Sequence, residues 1–269
     1  MAFRNFQKQK SSFLINVAGL SIGMACSILI LLWVNDELAY DRFHRDIGRI
    51  YRVMENQQYA QGNIFTTSST PGPLAPALIE EIPEIEHAAT YTWNVDLLFR
   101  HGEQSLKEEG IYARNDLFRI LSVDLLSGHS DELLVQPHSV VLSRTLARKY
   151  FGKENPVGES VSIGGQVRTI TGVFADLPEN SSIRFDFVLR FEDFQEENPW
   201  ATTWGNNGPR TLVKLNEGVE EETVESKIED FIKRKNESSV VELFLYPYAD
   251  AYLYGRFDNG RPAGGRIEY

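Results

Sequence analysis

The chain has a single cysteine, Cys26, and it lies inside an apolar run. Everything after that run is therefore without disulfides, thiolate metal sites or a cysteine nucleophile. Positive charge is also short: 27 Lys and Arg stand against 38 Asp and Glu, a net −11. Residues 1–34 carry +3 from Arg4, Lys8 and Lys10, which leaves −14 on residues 35–269. A domain that acidic has no footprint for nucleic acid and is repelled by anionic lipid. No His-Glu-x-x-His occurs. Ala147 stands where a Walker A loop needs its first glycine, and Glu154 follows Gly152-Lys153. The sequence assigns no catalytic residue, cofactor or metal. After Val34 no further stretch is long and apolar enough to span a bilayer.

One such stretch is present. Phe13 to Val34 is 22 residues without a charge. As a helix at about 1.5 Å per residue it covers the hydrocarbon core, about 30 Å thick. Arg4, Lys8 and Lys10 precede it and no acid occurs before Asp36. The positive-inside bias places the N-terminus in the cytoplasm and the remaining chain outside. A cleaved signal peptide has a shorter apolar region and a small-residue cleavage site, and the ending Leu-Leu-Trp-Val-Asn-Asp offers none. Gly23-Met24-Ala25 is a poor leader for lipidation at Cys26. Gly19, Gly23 and Ser27 fall four apart on one helical face, where small side chains let another helix approach. Glycine is common in membrane helices, but a lone anchor needs no such face.

Residues 1–12 form a cytoplasmic interfacial segment, either an amphipathic helix or a basic tail serving only topology. Residues 35–49 are expected to carry the membrane helix outward as a stalk, helical to about Phe43. An alternating run at 50–59 is a strand. A helix with Leu74, Leu78 and Ile82 at spacing four follows, and 85–93 returns as a strand. Residues 94–207 are β-dominated. They include a short helix near 115–121, a helix capped by Ser143 and closed by Gly152, and a hairpin around Gly164-Gly165. Residues 208–250 repeat strand, helix and strand, with one helix expected over 219–235. The fold class is thus α+β. A subdomain of two strand-helix-strand units, 50–93 and 208–250, receives 94–207 as a β-rich insertion. Residues 251–269 read as a linker.

Several clusters were weighed for chemistry. Asp41, His44 and Asp46 contain metal-ligating types, but Asp41 and His44 at i, i+3 serve equally as an ion pair or cap. Glu84, Glu86 and His87 fit solvated positions. His101, His129 and His138 sit in polar, loop-like contexts. The acidic runs 192–197 and 220–222 fit solvated faces, the first with some scope to contact a cation. Trp93, Trp200 and Trp204 fit packing anchors better than a ligand cage.

Three motifs in order carry a resemblance. Asp41-Arg-Phe43-His44 leads to Arg49-Ile-Tyr51-Arg52. Asn155-Pro156-Val-Gly158-Glu-Ser-Val follows. The third is Ile-Thr-Gly172-Val-Phe-Ala-Asp-Leu-Pro178-Glu-Asn-Ser-Ser. Together with the N-terminal helix they resemble the MacB-like periplasmic core domain of MacB/FtsX-type ABC transporter permeases, over nearly the whole chain. The resemblance implies a bacterial inner-membrane permease whose first helix leads into a periplasmic domain with a porter-like part and an inserted part. It implies a separate ATP-binding subunit, a second permease copy, and scope for a periplasmic adaptor or outer-membrane partner. It also implies later membrane helices, so the chain is expected to be one part of a longer permease, ending before the second helix. The alternative is a single-pass anchored binding or sensor module without transport.

Overall fold

A computed structural model describes residues 10–59 and 62–267. The chain divides into two units, residues 1–40 and 41–269. In the first, helix α1 runs from Lys10 to Leu38. Its apolar side chains are exposed along its whole length. Among the described residues this is the one helix long and apolar enough to cross a membrane. Ser27 Oγ donates to Gly23 O at 2.9 Å, so the hydroxyl is satisfied by its own preceding turn. The interfacial segment with Arg4 and Lys8 lies outside the described residues, and Lys10 is described in its backbone alone.

The second unit begins with turns rather than the expected helical stalk. The helix stops at Leu38 and Asp41 has φ +59°, a left-handed value that no helix continues through. A short 3-10 turn, Ile47–Arg49, then feeds β1, Ile50–Gln58. The hairpin partner β2, Ile64–Thr67, was not expected from its Thr- and Ser-rich sequence. Next come α2, Leu74–Glu81, and β3, Ile85–Tyr91. On the far side of the sequence lie β11, Arg210–Leu215, and β12, Val241–Pro247. These strands pair in the order β3-β11-β1-β12, with β2 on β1. Two-residue periodicity then sorts the side chains. Val53, Val213, Leu243 and Leu245 pack under Leu74, Leu78 and Ile82 of α2, and under Val224, Ile228, Phe231 and Ile232. Each fully buried Leu, Ile or Phe contributes roughly 1.5–3 kcal/mol.

Those last four residues were expected on one helix and occupy two, α6 (Glu221–Ile228) and α7 (Phe231–Lys235). The cause lies in β12, at the end of the sheet. Its outward N–H groups need acceptors. Leu243 N donates to Glu229 O at 2.9 Å, and Leu245 N to the Glu225 carboxylate at 2.9 Å. A carbonyl turned to β12 is lost to the helix, and the helix breaks there.

Between β3 and β11 the chain forms β4 (Val95–His101), β5 (Gln104–Ala113), α3 (Leu117–Ile120), β6 (Leu125–Gly128) and β7 (Ser139–Ser143). It continues as α4 (Arg144–Phe151), β8 (Ser160–Ile163), β9 (Gln166–Phe174), β10 (Phe187–Arg190) and α5 (Phe191–Glu197). Ser143 Oγ accepts from Leu146 N at 3.1 Å and Gly152 takes φ +65°, the expected two caps of α4. β7 was missed because all five of its residues are buried and do not alternate.

The pairings β10-β7-β9-β8-β4-β5 return to β10, so six strands close a ring. Closure removes free edges. It also presses Phe187 of β10 onto Gly110 of β5, where a Cβ would lie 2.4 Å from the ring. β6 pairs with β9 on the ring, and β5 of the ring pairs with β3 at Tyr91–Ala113.

After β12 the chain forms α8 (Tyr248–Ala251) and a small hairpin, β13 (Phe257–Asp258) with β14 (Arg261–Pro262). Phe257 packs on Tyr246 and Phe244, and Asn259 Oδ1 accepts from Ile64 N at 3.1 Å. The segment expected as a linker is folded onto the sheet as far as Ile267.

Candidate functional site

Asp41 and His44, three and six residues after the last residue of α1, are both buried, unusual for ionisable side chains. Asp41 N donates to Asn180 O at 2.9 Å, and Asp41 Oδ1 accepts from Ser182 N at 2.8 Å. The first and third sequence motifs thus meet, although 141 residues separate Asp41 from Ser182. His44 Nδ1 lies 2.6 Å from Leu121 O, so that nitrogen carries the proton. Its Nε2 faces Asp41 Oδ1 at 3.8 Å. Tyr248, fully buried, closes the group with its hydroxyl 3.1 Å from Ser182 Oγ. Burial, with Asp41 and Tyr91 nearby, pushes the Tyr248 phenol well above its ordinary range, so it stays neutral. Arg52 stacks over the Tyr248 ring at 5.9 Å, and exposed Phe43 stacks on His44 at 4.1 Å.

Asp46, expected near Asp41 and His44 as a third acidic or ligand group, points elsewhere. Its Oδ2 takes Arg49 at 2.9 Å and Lys214 at 3.0 Å, and the Lys214 bond holds the carboxyl below its ordinary value. Arg49 also donates to Glu86 at 2.7 Å and to Leu215 O at 2.7 Å. Glu86, read as solvated, is thereby tied to the turn, and His87 Nδ1 lies 3.2 Å from Asp116. Tyr51 faces the helical layer; burial, then Glu221, raises its phenol. The first motif is therefore a joint. Asp41 and His44 fasten one side of the turn, and Arg49 fastens the other across three strands. Among the described residues no three His, Cys, Asp or Glu side chains are arranged for a metal.

The second motif is a separate turn. Asn155 Oδ1 accepts from Val157 N at 3.3 Å, Pro156 is buried, and Gly158, at φ +88°, donates to Ile170 O at 2.8 Å. Gly172 sits where β6 crosses β9, and a Cβ there would lie 2.5 Å from Leu133. Pro178 opens the turn whose Ser181 N returns to its carbonyl at 3.2 Å. These positions shape the loop that receives Asp41. Gly19, Gly23 and Ser27 stand on α1, and among the described residues a Cβ added at either glycine would meet nothing within 4 Å beyond the helix's own backbone. Gly19-Leu-Ser-Ile-Gly23 also spells a hydrolase nucleophile elbow, but it lies in mid-helix rather than at a strand-to-helix turn.

Some expectations change. The acidic run at 192–197 is not simply solvated: Asp193 is buried, accepting from Arg168 at 2.6 Å and from His138 N at 3.1 Å. Glu55, unremarkable in sequence, is fully buried on β1 between Gln57 (2.9 Å) and Asn207 (2.5 Å). Burial drives it to about 7. Trp93 and Trp200 pack edge-on against Phe194, and Trp204 packs on Phe231, as anchors. Sequence reasoning named Asp41, His44, Arg49, Glu86 and the motif ending in Ser182 without joining them, and it did not name Leu121, Lys214 or Tyr248. No local spacing marks residues so distant.

An apolar helix of membrane-spanning length followed in the chain by a mixed α/β domain defines the class by its architecture. The family model for the MacB-like periplasmic core domain matches residues 13–231, and the chain belongs to that family. A permease domain from Porphyromonas gingivalis is 26% identical, covers 81% of this chain and 95% of its own, and superposes with a TM-score of 0.63. Two further structures share the fold. The periplasmic region of MacB from Actinobacillus actinomycetemcomitans has 15% identity, coverage of 77% and 94%, and a TM-score of 0.55. The extracellular domain of the ABC-type transporter YknZ from Gram-positive bacteria has 13%, 72% and 99%, and 0.52. No curated protein matches the chain.

Proposed function

We propose that the chain couples motion driven by ATP to its periplasmic domain, acting as the permease subunit of an ABC-type transporter with a separate ATP-binding subunit and a second permease copy. The observation that carries the reading is the joint. The family match begins in α1 and runs on into the domain, and at the start of that domain Asp41, His44 and Arg49 are bonded to Asn180, Ser182, Leu121 and Glu86. A movement of the helix end is passed to those loops rather than absorbed by a slack linker. The face of Gly19, Gly23 and Ser27 packs on other membrane helices. Arg4, Lys8 and Lys10 hold the N-terminus in the cytoplasm. Residues 50–93 with 208–250 form the porter-like part, and 94–207 the inserted part. The coupled load is an exported substrate, an adaptor or an outer-membrane partner.

The test is purification of the natural protein in mild detergent together with the products of neighbouring genes. Recovery of an ATPase whose turnover falls when the Asp41 joint is cut by Asp41→Ala supports the reading. Recovery of the chain with no ATPase sinks it and leaves an anchored binding or sensor module.

A further inference from the structure

Arg52 lies on β1 of an acidic domain, yet no carboxylate meets it. Among the described residues its guanidinium makes no ion pair and no hydrogen bond; its one partner is the face of the Tyr248 ring, at 5.9 Å. The Nε–H is buried without an acceptor, a state that costs free energy. Acids on the neighbouring elements are placed otherwise. Glu55 lies on the opposite face of β1 by two-residue alternation, and it takes Gln57 and Asn207. Asp41 takes Ser182 N at 2.8 Å and faces His44. Glu242 of β12 is held by Lys233 at 3.0 Å and by Gln58 at 3.1 Å. Asp250 of α8 and Asp258 of β13 make no ion pair with Arg52.

Arg52 lines a cavity of ≈ 260 Å³. Strand register puts Met54, Thr66 and Tyr246 on the same face of the sheet as Arg52. Ser68, just past β2, and Phe257 of β13 complete the wall. The lining contains no carboxylate. Phe257 packs edge-on against Tyr246 at 5.0 Å and, with Met54, gives an apolar floor. Thr66 donates its hydroxyl hydrogen to Asn56 at 2.7 Å. The Ser68 hydroxyl makes no hydrogen bond among the described residues. Arg210 lies outside the lining, two residues from Leu212 on β11 and so on the same face as Arg52. It too makes no ion pair among the described residues, so this face of the sheet is positive.

We propose that this cavity binds a small carboxylate of one negative charge. The planar guanidinium donors match a carboxylate, and Ser68 Oγ–H adds another. The short body of the ligand lies over Met54 and Phe257. A cation would face an unbalanced guanidinium, and a neutral molecule would leave that charge unpaired. One guanidinium in the lining balances one charge, and the acidic domain around it repels a second. Pockets for drug-sized ligands run to about 300–1,000 Å³; this one is smaller and holds a molecule of a few heavy atoms. The inference is independent of the coupling reading, because it concerns binding by this chain alone and needs no ATPase.

The test uses the full chain in neutral detergent. Three probes are titrated: propionate, propionamide with the same shape and no charge, and sulfate with two charges. Binding is read from the Arg52 Nε–H resonance, identified by its absence from Arg52→Lys. A saturable shift with propionate is expected, with at least tenfold weaker binding of propionamide and of sulfate. Arg52→Lys keeps the charge but loses the planar fork, and is expected to weaken propionate at least tenfold by calorimetry. Because Arg52 also stacks on Tyr248, Ser68→Asp serves beside it. That change puts a carboxylate into the wall at a half-buried position, and is expected to abolish binding. Absence of a saturable shift with propionate, equal affinity for propionamide or sulfate, or unchanged binding in folded Ser68→Asp overturns the proposal.

Discussion

Glu55 shows how burial turns an ordinary side chain into a titrating one. It is fully buried, bonded to two amides, and titrates near 7 rather than at its usual 4.5. The folded value lies above the unfolded one, so folding favours the protonated form. That contribution is complete below about 4.5 and is lost as pH rises to about 7, a swing of up to ~3 kcal/mol at 1.36 kcal/mol per unit. Glu55→Gln is expected to flatten the dependence of Tm on pH between 5 and 8, and to exceed the parent at pH 8. A parent and variant with parallel pH curves would refute this. Asp41 matters through its hydrogen bonds to the 180–182 loop. Asp41→Ala removes the acceptor of Ser182 N, and is expected to cost ~1.5–3 kcal/mol in denaturant unfolding.

At the scale of elements, β5 and β10 depend on one glycine. Phe187 lies over Gly110 with no room for a methyl group, and the ring is fully buried with nowhere to move. Gly110→Ala is expected to lose about 1–3 kcal/mol through overpacking. Adding Phe187→Leu should return part of that loss, a coupling that a double-mutant cycle measures. α1 poses a different question, since among the described residues nothing outside the helix lies against its two glycines. Gly23→Leu is expected to reduce association of α1 with other membrane helices, read by energy transfer between labelled subunits in liposomes. The melting temperature of the domain should not change. A variant that associates as the parent does would remove the packing role from that face.

At the scale of the whole molecule the chain divides into two units, residues 1–40 and 41–269. Orientation is directly measurable. In a Cys26→Ser background, Ser238→Cys places a single exposed thiol on the domain. A membrane-impermeant thiol reagent is expected to label it in cells whose inner membrane is intact. Labelling only after lysis would reverse the topology argued from Arg4, Lys8 and Lys10.

Local chemistry was enough to write α1, the caps of α4, the 160–174 hairpin and the apolar face of α2 in advance. Helix length, capping spacing and two-residue alternation are properties of neighbours in sequence. The same chemistry singled out Asp41, His44 and Arg49 but left them without partners, and it joined α6 to α7. It passed over β7 and Glu55, and it read the run containing Asp193 as water-facing. Each of those depended on groups far along the chain: Ser182 and Leu121 for the joint, the free N–H groups of β12 for the helix break, Asn207 and Arg168 for the buried acids. The sequence by itself determined which segments are apolar and where they start and stop. The tertiary structure alone decided which polar groups are taken out of water and what meets them there, because hydrogen bonds and buried charges are satisfied across space.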